Sequence, residues 1–342
     1  MQLLNTLYVT TPDSYLHLDN DTLRVEVDHD TRLRVPLHHL GAIVCLGNIR
    51  LSTPLMHRVA DAGISLVMLD GNGRFKARLE GPVSGNVLLR SAQFERAREA
   101  DFTLTVARNF VAGKIRNSRQ VLLRGAREAK DAAEASQITR TAKDLAASLR
   151  ALPTATDLDT LRGLEGEAAR QYFGALNLLL RKDMRETFQM NGRSRRPPRD
   201  RFNAVLSFLY SMLMNDCRSA LEAAGLDPQV GFLHALRPGR AALALDLMEE
   251  FRHLSDRLAL TLINRGQINA DDFEHREGGA VMLEGDARKT VVVAWQERKQ
   301  EQITHTLLAQ PVALGLIPLV QARLLARTLR GETTDYPPYL TR

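Results

Sequence analysis

Alternation of apolar and polar positions with a period of two predicts β-strands in the first 80 residues. The alternation is clear in residues 15–19 and again in residues 22–27. Successive side chains of a strand point to opposite faces, so such runs are typical of half-buried strands. Asn20 and Asp21 supply turn chemistry between the two runs. We therefore predict a hairpin here and expect hairpins to dominate this part of the chain.

A short helix is predicted to interrupt the strands. Ser52 or Thr53 is a suitable N-cap, and Pro54 is tolerated in the first turn. Its inward face would be formed by Leu55, Met56, Val59 and Ala60. Beyond the helix, a turn at residues 70–73 separates two further strand-like runs, and the Gly, Pro and Ser residues within 81–85 predict a linker.

From about residue 91 the apolar spacing becomes helical. Breakers occur only near residues 152–157, 192–198, 225–228 and 238–239. A small hairpin between residues 280–283 and 290–295 is the one exception that we predict. The expected fold class is α+β, with a β-rich domain at residues 1–85 followed by a larger, mostly α-helical domain at residues 86–342.

Composition narrows the class of protein. The 44% hydrophobic and 25% charged content is that of a soluble globular protein, and no apolar run approaches the roughly 20 residues that cross a bilayer. The N-terminus lacks the pattern of a signal peptide, so we expect a cytoplasmic protein without membrane insertion. Cys45 and Cys217 are far apart, which favours neither a disulfide framework nor a zinc site.

The positive charge is concentrated in the second domain. Residues 1–92 contain nine basic and nine acidic side chains, so the rest of the chain has 46 − 9 = 37 basic against 40 − 9 = 31 acidic. Residues 108–130 and 181–201 are the most basic segments. Few aromatic residues interleave them, which favours contact with a duplex backbone over base stacking, although charge alone does not separate DNA, RNA and a membrane surface as partners. A solvated helical face is the alternative.

Glu165 is the first candidate for chemistry. It shares a predicted helix face with Tyr172 and is flanked by Gly163 and Gly166. Glycine weakens a helix by about 1 kcal/mol relative to alanine, so the pair suggests that another backbone or a ligand approaches closely. A solvated glutamate beside packing glycines is the alternative.

Further candidates follow a break at residues 225–228. His234 lies beside a basic, turn-forming segment, and a lone histidine there is more often structural than a ligand. Asp246, Glu249, His253 and Asp256 share one stripe of the next predicted helix, which is more often its solvated side. A carboxylate, an imidazole and a second carboxylate nevertheless suit Mg²⁺ or Mn²⁺, and the imidazole favours manganese.

The order and wording of these segments resemble the CRISPR-associated integrase (Cas-one) family, the DNA-processing subunit of the spacer-acquisition complex. The resemblance rests on LRGLEGEAARQYF at residues 161–173, RRPPRDRFNAVLSFLY at 195–210, GLDPQVGFLH at 225–234 and LALDLMEEFR at 243–252. It extends more weakly over residues 35–52 and the C-terminal residues, and so covers nearly the whole chain. The variant resembles the type I-C subgroup.

The resemblance implies roles for individual residues. Glu165, His234 and Glu249 would be the metal ligands, with Glu249 standing where many relatives have Asp. Asp246 would assist catalysis beside the metal. Tyr172, Arg237 and Arg240 are weaker candidates for contact with substrate phosphate, and each has a packing role as an equal alternative.

The resemblance also implies an activity and partners. The expected enzyme is a metal-dependent DNA endonuclease and strand transferase that inserts new spacers at the leader–repeat junction. Double-stranded and branched DNA, a second copy of the chain and a small companion subunit are the expected partners, and the N-terminal β-rich domain would form the homodimer. Two alternatives stay open: a noncatalytic DNA-binding scaffold of the same complex, and an RNA-processing nuclease.

Overall fold

A computed structural model describes residues 5–71, 73, 75–79, 81 and 87–341. Parts of three predicted features fall outside this range: the turn at residues 70–73, the linker at 81–85, and residues 1–4 of the strand that the apolar spacing of residues 1–9 predicts. The chain divides into two compact units. One comprises the described part of residues 1–85 with Val292–Glu301 and Ala313–Leu316, and the other comprises Asn86–Val291, Gln302–Val312 and Ile317–Arg342 as far as they are described.

The first unit is rich in strands. The strands and helix of its N-terminal part are β1 (Thr6–Val9), β2 (Tyr15–Asp19), β3 (Thr22–Val27), β4 (Asp30–Pro36), β5 (Ala42–Leu46), β6 (Arg50–Leu51), α1 (Thr53–Asp61), β7 (Ser65–Leu69) and β8 (Phe75–Leu79). Ser52 is the N-cap of α1 and accepts a hydrogen bond from the Leu55 amide at 3.3 Å, which confirms the predicted helix start.

Two sheets surround α1. One has the strand order β4-β3-β2-β6 and the other β1-β5-β7-β8. The hairpin between β2 and β3 is confirmed, and Asn20 in its turn has φ 53°. The expectation that hairpins dominate is only partly correct, because β1, β5 and β7 pair in parallel. Parallel neighbours need a crossover, which α1 provides between β5 and β7. Leu16, Ile43, Leu55 and Leu66 meet in the core.

The second unit is mostly helical. Its helices are α2 (Val87–Arg96), α3 (Ala100–Glu128), α4 (Ala132–Ala151), α5 (Leu158–Leu176), α6 (Lys182–Phe188), α7 (Arg201–Ala223), α8 (Ala242–Glu249), α9 (Arg252–Asn264) and α11 (Ile317–Leu329). The long helix α3 packs against α4, α5, α8 and α9, while α7 packs against α8, α9 and α11. The fold class is therefore α+β, as predicted.

The predicted hairpin near residue 285 is wrong in its second strand. The remaining elements are β9 (Phe273–Arg276), β10 (Ala280–Leu283), α10 (Gly285–Gln300), β11 (Gln302–Thr304) and β12 (Pro311–Ala313). Strand β10 pairs with β9 across a glycine turn, in which Gly278 and Gly279 have φ 83° and 76°. Residues 290–295 belong to α10 instead. Val291, Val292 and Trp295 are buried at helical spacing, so tertiary packing overrides their β-propensity.

The single helix predicted over Asp246 and Asp256 is also wrong. It is broken between α8 and α9, where the Phe251 amide donates to the Met248 carbonyl at 3.0 Å in place of the usual i to i−4 bond. The polar stripe is not solvated either, because Asp246, Glu249, His253 and Asp256 are all buried. Among the described residues, no helix is long and apolar enough to span a bilayer.

Candidate active site

Helix α5 positions Glu165. The helix begins after Asp157, whose carboxylate accepts hydrogen bonds from the Asp159 and Thr160 amides at 2.9 and 2.8 Å. Such an N-cap satisfies amides that have no partner within the helix. Two turns later the Glu165 side chain is 23% exposed and forms an ion pair with Lys114 of α3. Glu165 is therefore not the freely solvated glutamate of the alternative interpretation.

Asp246 fixes the position of His234. Its Oδ2 accepts from the Phe232 and Leu233 amides at 2.6 and 3.0 Å. Its Oδ1 lies 2.9 Å from the His234 amide and 2.7 Å from His234 Nδ1. An ionised carboxylate only accepts, so Nδ1 carries the proton and the Nε2 lone pair is left for a ligand. Asp246 thus fixes the orientation and the tautomer of the imidazole, and its own side chain is fully buried.

Gly231 makes this arrangement sterically feasible, a role that was not predicted from the pattern of residues around it. A Cβ at Gly231 would lie 2.6 Å from Asp246 Oδ2 and 2.7 Å from the Ala242 carbonyl carbon. The loop backbone can approach α8 this closely only without a side chain. By contrast, a Cβ at Gly163 or Gly166 would meet no described atom within 4 Å. The close protein approach predicted from those two glycines is therefore wrong.

Arg162 ties the histidine loop to α5. Its Nε and Nη2 donate to the Leu233 carbonyl at 2.9 and 2.7 Å. Arg162 lies one turn before Glu165, so the same helix supports the carboxylate and the loop that precedes His234. Sequence reasoning missed this contact, because nothing in the spacing of residues 161–173 distinguishes Arg162 from a surface arginine.

Glu249 ends α8 and is 4% exposed. Its Oε2 accepts from Arg252 Nε at 2.8 Å and from Lys114 Nζ at 2.7 Å. Burial by itself raises the pKa of Glu249, but the positive charges of Arg252 and Lys114 outweigh it and hold the pKa below its ordinary value. Glu249 is therefore an anion inside the helical unit.

Lys114 brings the two glutamates together. Its ammonium contacts Glu165 Oε1 and Glu249 Oε2, so carboxylates from α5 and α8 share one cationic nitrogen. The other oxygen of Glu249, Oε1, lies 3.9 Å from His234 Nε2. The structure therefore brings Glu165, His234 and Glu249 into one cluster, although they are far apart in sequence.

The cluster fits a divalent metal ion in its donor chemistry. Two ligands about 2.1 Å from one ion are at most about 4.2 Å apart, and the 3.9 Å between His234 Nε2 and Glu249 Oε1 satisfies that limit. Both carboxylates already bind one cation together. In the described part of the chain, however, no group of three or more His, Cys, Asp or Glu side chains is already placed to hold a metal ion. Lys114 contacts one oxygen of each of the two carboxylates.

Tyr172 lies in the core behind the cluster. Its hydroxyl donates to Asp256 Oδ2 at 2.9 Å, and the Tyr210 hydroxyl donates to Asp256 Oδ1 at 2.6 Å. Burial raises the pKa of Asp256 to about 6, although both hydroxyl groups oppose the change. Tyr172 is itself buried, with a pKa raised by burial and by Asp256. This is the arrangement that the packing alternative describes for Tyr172.

Arginines concentrate positive charge beside the histidine loop. Burial lowers the pKa of Arg240, and the charges of Arg237, Arg196 and Arg162 lower it further, with Asp246 acting in the opposite direction. Arg237 and Arg196 are exposed. Like charges held together in this way favour an anion such as phosphate. Arg196, in the loop before α7, is an addition to the residues singled out from sequence.

The C-terminal segment packs against Glu250, the residue that follows Glu249. Glu250 is buried and accepts from the Tyr336 hydroxyl at 2.6 Å and the Tyr339 amide at 2.7 Å. Asn117 of α3 donates to the carbonyls of Glu250 and Tyr339 at 2.9 and 2.8 Å. Helix α8 ends between Glu249 and Glu250, so the two carboxylates have separate partners. The partners of Glu249 lie in the cluster, and those of Glu250 include residues of the C-terminal segment.

Known proteins are similar to this chain in sequence and in fold. The sequence model of the family described as CRISPR associated protein Cas1 matches residues 7–297. The CRISPR-associated endonuclease Cas1 1 of Moorella thermoacetica is 54% identical over 341 residues, an alignment that covers 99% of each chain. A chain of a solved Cas6-RT-Cas1–Cas2 complex has a TM-score of 0.83 and 27% identity, and the match covers 99% of this chain and 36% of that longer one.

A casposase bound to integration product also has this fold. Its TM-score is 0.83 at 20% identity, with 97% of this chain and 93% of that chain covered. At that identity the likeness concerns the fold alone. The family match and the full-length relative go further, because they extend over the strands of the first unit, over the helices that bear Glu165 and Glu249, and over the loop that bears His234. The chain therefore belongs to the Cas1 family of CRISPR-associated proteins.

Proposed function

We propose that this protein is the integrase of CRISPR spacer acquisition, a metal-dependent DNA endonuclease and strand transferase. One observation supports the proposal: Glu165 and Glu249 share the Lys114 ammonium, and His234 Nε2 lies 3.9 Å from Glu249 Oε1, so side chains from three separate elements cluster in a basic helical unit. Relatives that align over the full length are named endonucleases. The type I-C assignment stays a prediction.

Glu165, His234 and Glu249 would hold the ion, which we propose to be Mg²⁺ or Mn²⁺. Carboxylate oxygens suit either ion, and the imidazole favours manganese. When bound, such an ion polarises a phosphoryl oxygen and orients the attacking and leaving oxygens. The extra methylene of Glu249 relative to the Asp of many relatives sets how far the carboxylate reaches from α8.

The protein's own residues orient the reacting groups. Asp246 holds His234 with Nε2 free, and Arg162 fixes the preceding loop. Water is the nucleophile in cleavage, and the 3′-hydroxyl of a DNA end is the nucleophile in strand transfer. The electrophile is a phosphodiester in both reactions, so one site serves both.

Arg237 and Arg240, with Arg196, would contact DNA phosphates on either side of the scissile bond. Burial is the main cause of the lowered pKa of Arg240, and the charges of Arg237 and Arg196 lower it further; this concentration of positive charge supports the role. The proposed substrate is double-stranded or branched DNA at the leader–repeat junction, which places the activity in the cytoplasm. Tyr172, which donates to the buried Asp256, would support the site from behind.

The proposed partners are a second copy of the chain and a small companion subunit. The related complex named above contains a Cas2 subunit, and the casposase of similar fold is bound to an integration product. By analogy we assign DNA binding to the helical unit and homodimerisation to the strand-rich unit. A cross-linking and mass measurement of the purified chain, alone and with a companion subunit, tests the assembly.

Cleavage and strand transfer on branched DNA test the chemistry. We expect Glu165→Gln, His234→Ala and Glu249→Gln to abolish both reactions while leaving the circular dichroism spectrum unchanged. Glu167→Gln is the matched control, because Glu167 lies on the same helix but pairs with Arg170 on the surface. Full activity in all three site variants would refute the proposed site.

The same preparation separates the two alternatives. A noncatalytic scaffold would bind DNA but show no cleavage that vanishes with a chelator. An RNA-processing nuclease would cleave RNA in preference to DNA in direct competition, whereas single-stranded RNA is usually recognised through aromatic stacking, for which the basic segments offer few side chains.

A further inference from the structure

Lys114 is a buried cation between the two proposed metal-binding carboxylates. It lies on the inward face of α3, and its side chain is 10% exposed. The ammonium contacts Glu165 of α5 and lies 2.7 Å from Glu249 Oε2 of α8. The neighbours of Lys114 on α3, Gly113 and Ile115, are buried as well, so the helix cannot turn this lysine to solvent.

A compensating cation is required where two carboxylates meet in a protein interior. Two negative charges a few ångströms apart repel each other, and burial strengthens the repulsion because water no longer screens it. Of these two carboxylates, Arg252 neutralises the charge of Glu249, to whose Oε2 it donates a hydrogen bond. Lys114 is the cation that contacts both carboxylates, and thus the group that allows them to stay close before metal binds.

We propose that Lys114 is the resident counter-cation of this site and that a divalent metal ion must displace it. An ion held by Glu165 and Glu249 would compete with the ammonium for the same two carboxylate groups, and its own positive charge would repel the ammonium. Lysine suits this role, because its compact charge sits on a flexible four-carbon stem that can withdraw. The inference rests on the proposed metal site.

Displacement makes Lys114 a competitor of the metal. Removing its charge should therefore raise metal affinity, which is the opposite of what removing a ligand or a merely structural residue does. Once displaced, the ammonium stays beside the cluster, where it compensates the negative charge of a DNA phosphate. Lys114 is thus a positioning residue. Its ammonium pairs with the two carboxylates before the metal binds and with a substrate phosphate afterwards.

Mn²⁺ binding to the full-length protein without DNA tests the proposal. Isothermal titration would compare the wild type with Lys114→Met, which keeps the length of the stem, and with Lys114→Arg, which keeps the charge. We expect Lys114→Met to bind Mn²⁺ at least about tenfold more tightly and Lys114→Arg to bind no more tightly than the wild type. Arg116→Met is the matched control, because Arg116 is an exposed cation on the same helix; its affinity should match the wild type.

Thermal unfolding supplies a second readout. Without metal, Lys114→Met should unfold at a lower temperature than Arg116→Met, since its carboxylates repel each other. Mn²⁺ should raise its midpoint by more than it raises that of the wild type. If Lys114→Met does not fold without metal, Mn²⁺ in the refolding buffer should restore the native circular dichroism spectrum. A variant that stays unfolded with Mn²⁺ overturns the proposal.

The outcomes also separate this inference from the proposed function. Suppose that the wild type binds Mn²⁺, that His234→Ala does not, and that Lys114→Met binds Mn²⁺ no more tightly than the wild type. This result would overturn the role of Lys114 and leave the metal site intact. Absence of Mn²⁺ binding in the wild type and every variant overturns both.

Discussion

Asp246 Oδ1 accepts hydrogen bonds from both the backbone amide and the Nδ1 of His234, at 2.9 and 2.7 Å. One oxygen thus sets the loop conformation and the ring orientation together. Carboxylates that orient a metal-binding imidazole in this way fix its tautomer and raise its basicity. We therefore expect Asp246 to affect metal binding through His234.

Asp246→Asn should weaken Mn²⁺ binding by about 10- to 100-fold, the usual cost of losing such an orienting partner. The amide keeps the shape of the carboxylate but offers one acceptor oxygen in place of two, so it cannot satisfy the amides of residues 232–234 and Nδ1 together. Titration calorimetry measures the loss. Asp144→Asn, an exposed change on α4, is the control, and equal affinities for the two variants would contradict the prediction.

Gly231→Ala should destabilise the helical unit by roughly 1–3 kcal/mol, because the new methyl group overlaps Asp246 and the Ala242 backbone. Gly174→Ala is the matched control. Its methyl group meets no described atom within 4 Å and lies inside α5, so we expect stabilisation of up to about 1 kcal/mol. Urea unfolding gives both values. A stable Gly231→Ala variant would show that the loop does not need its close approach to α8.

Asp256 should make stability fall as pH rises through the acidic range. Burial raises its pKa from 3.8 to about 6. The native state therefore holds a proton that the unfolded chain has released, and the contribution of Asp256 to the free energy of unfolding decreases from about pH 4 to about pH 6. The change is at most about 3 kcal/mol, since one pKa unit corresponds to about 1.4 kcal/mol.

Thermal unfolding of Asp256→Asn between pH 4 and pH 7 measures this effect. The midpoint of the variant relative to the wild type should increase with pH up to about pH 6 and then level off. Asp144→Asn again serves as the control. The difference between its unfolding midpoint and that of the wild type should not rise with pH in this way. A constant difference between Asp256→Asn and the wild type would mean that Asp256 titrates alike in the folded and unfolded chain.

Tyr336→Phe should lower stability by about 1–3 kcal/mol, because the buried Glu250 loses the hydroxyl group that donates to it at 2.6 Å. The same change at Tyr15, a partly buried residue of β2, is the control. We also expect a slower cleavage rate, since Glu250 directly follows Glu249. A variant as stable as the wild type would show that the C-terminal segment is held by its other contacts.

Local pattern was a reliable guide wherever one segment determines its own structure. The alternation in β2 and β3, the turn at Asn20 and the N-cap of α1 at Ser52 depend on neighbouring residues, and the structure confirms them. Parallel pairing of β1, β5 and β7 depends on strands far apart in sequence, so period-two patterns are silent about it. Residues 290–295 became helix for the same reason, because burial of Val291 and Trp295 outweighs their preference for strands.

Composition and periodicity predicted the fold class and the basic helical part, and the family resemblance implied the candidate ligands Glu165, His234 and Glu249. The environment of these residues arises only in the folded chain: Asp246 contacts His234, Gly231 lies against α8, and Lys114 lies between the two carboxylates. These contacts join residues from separate helices and loops. Their energies depend on distance and burial, which arise when the chain packs and leave no periodic trace along it.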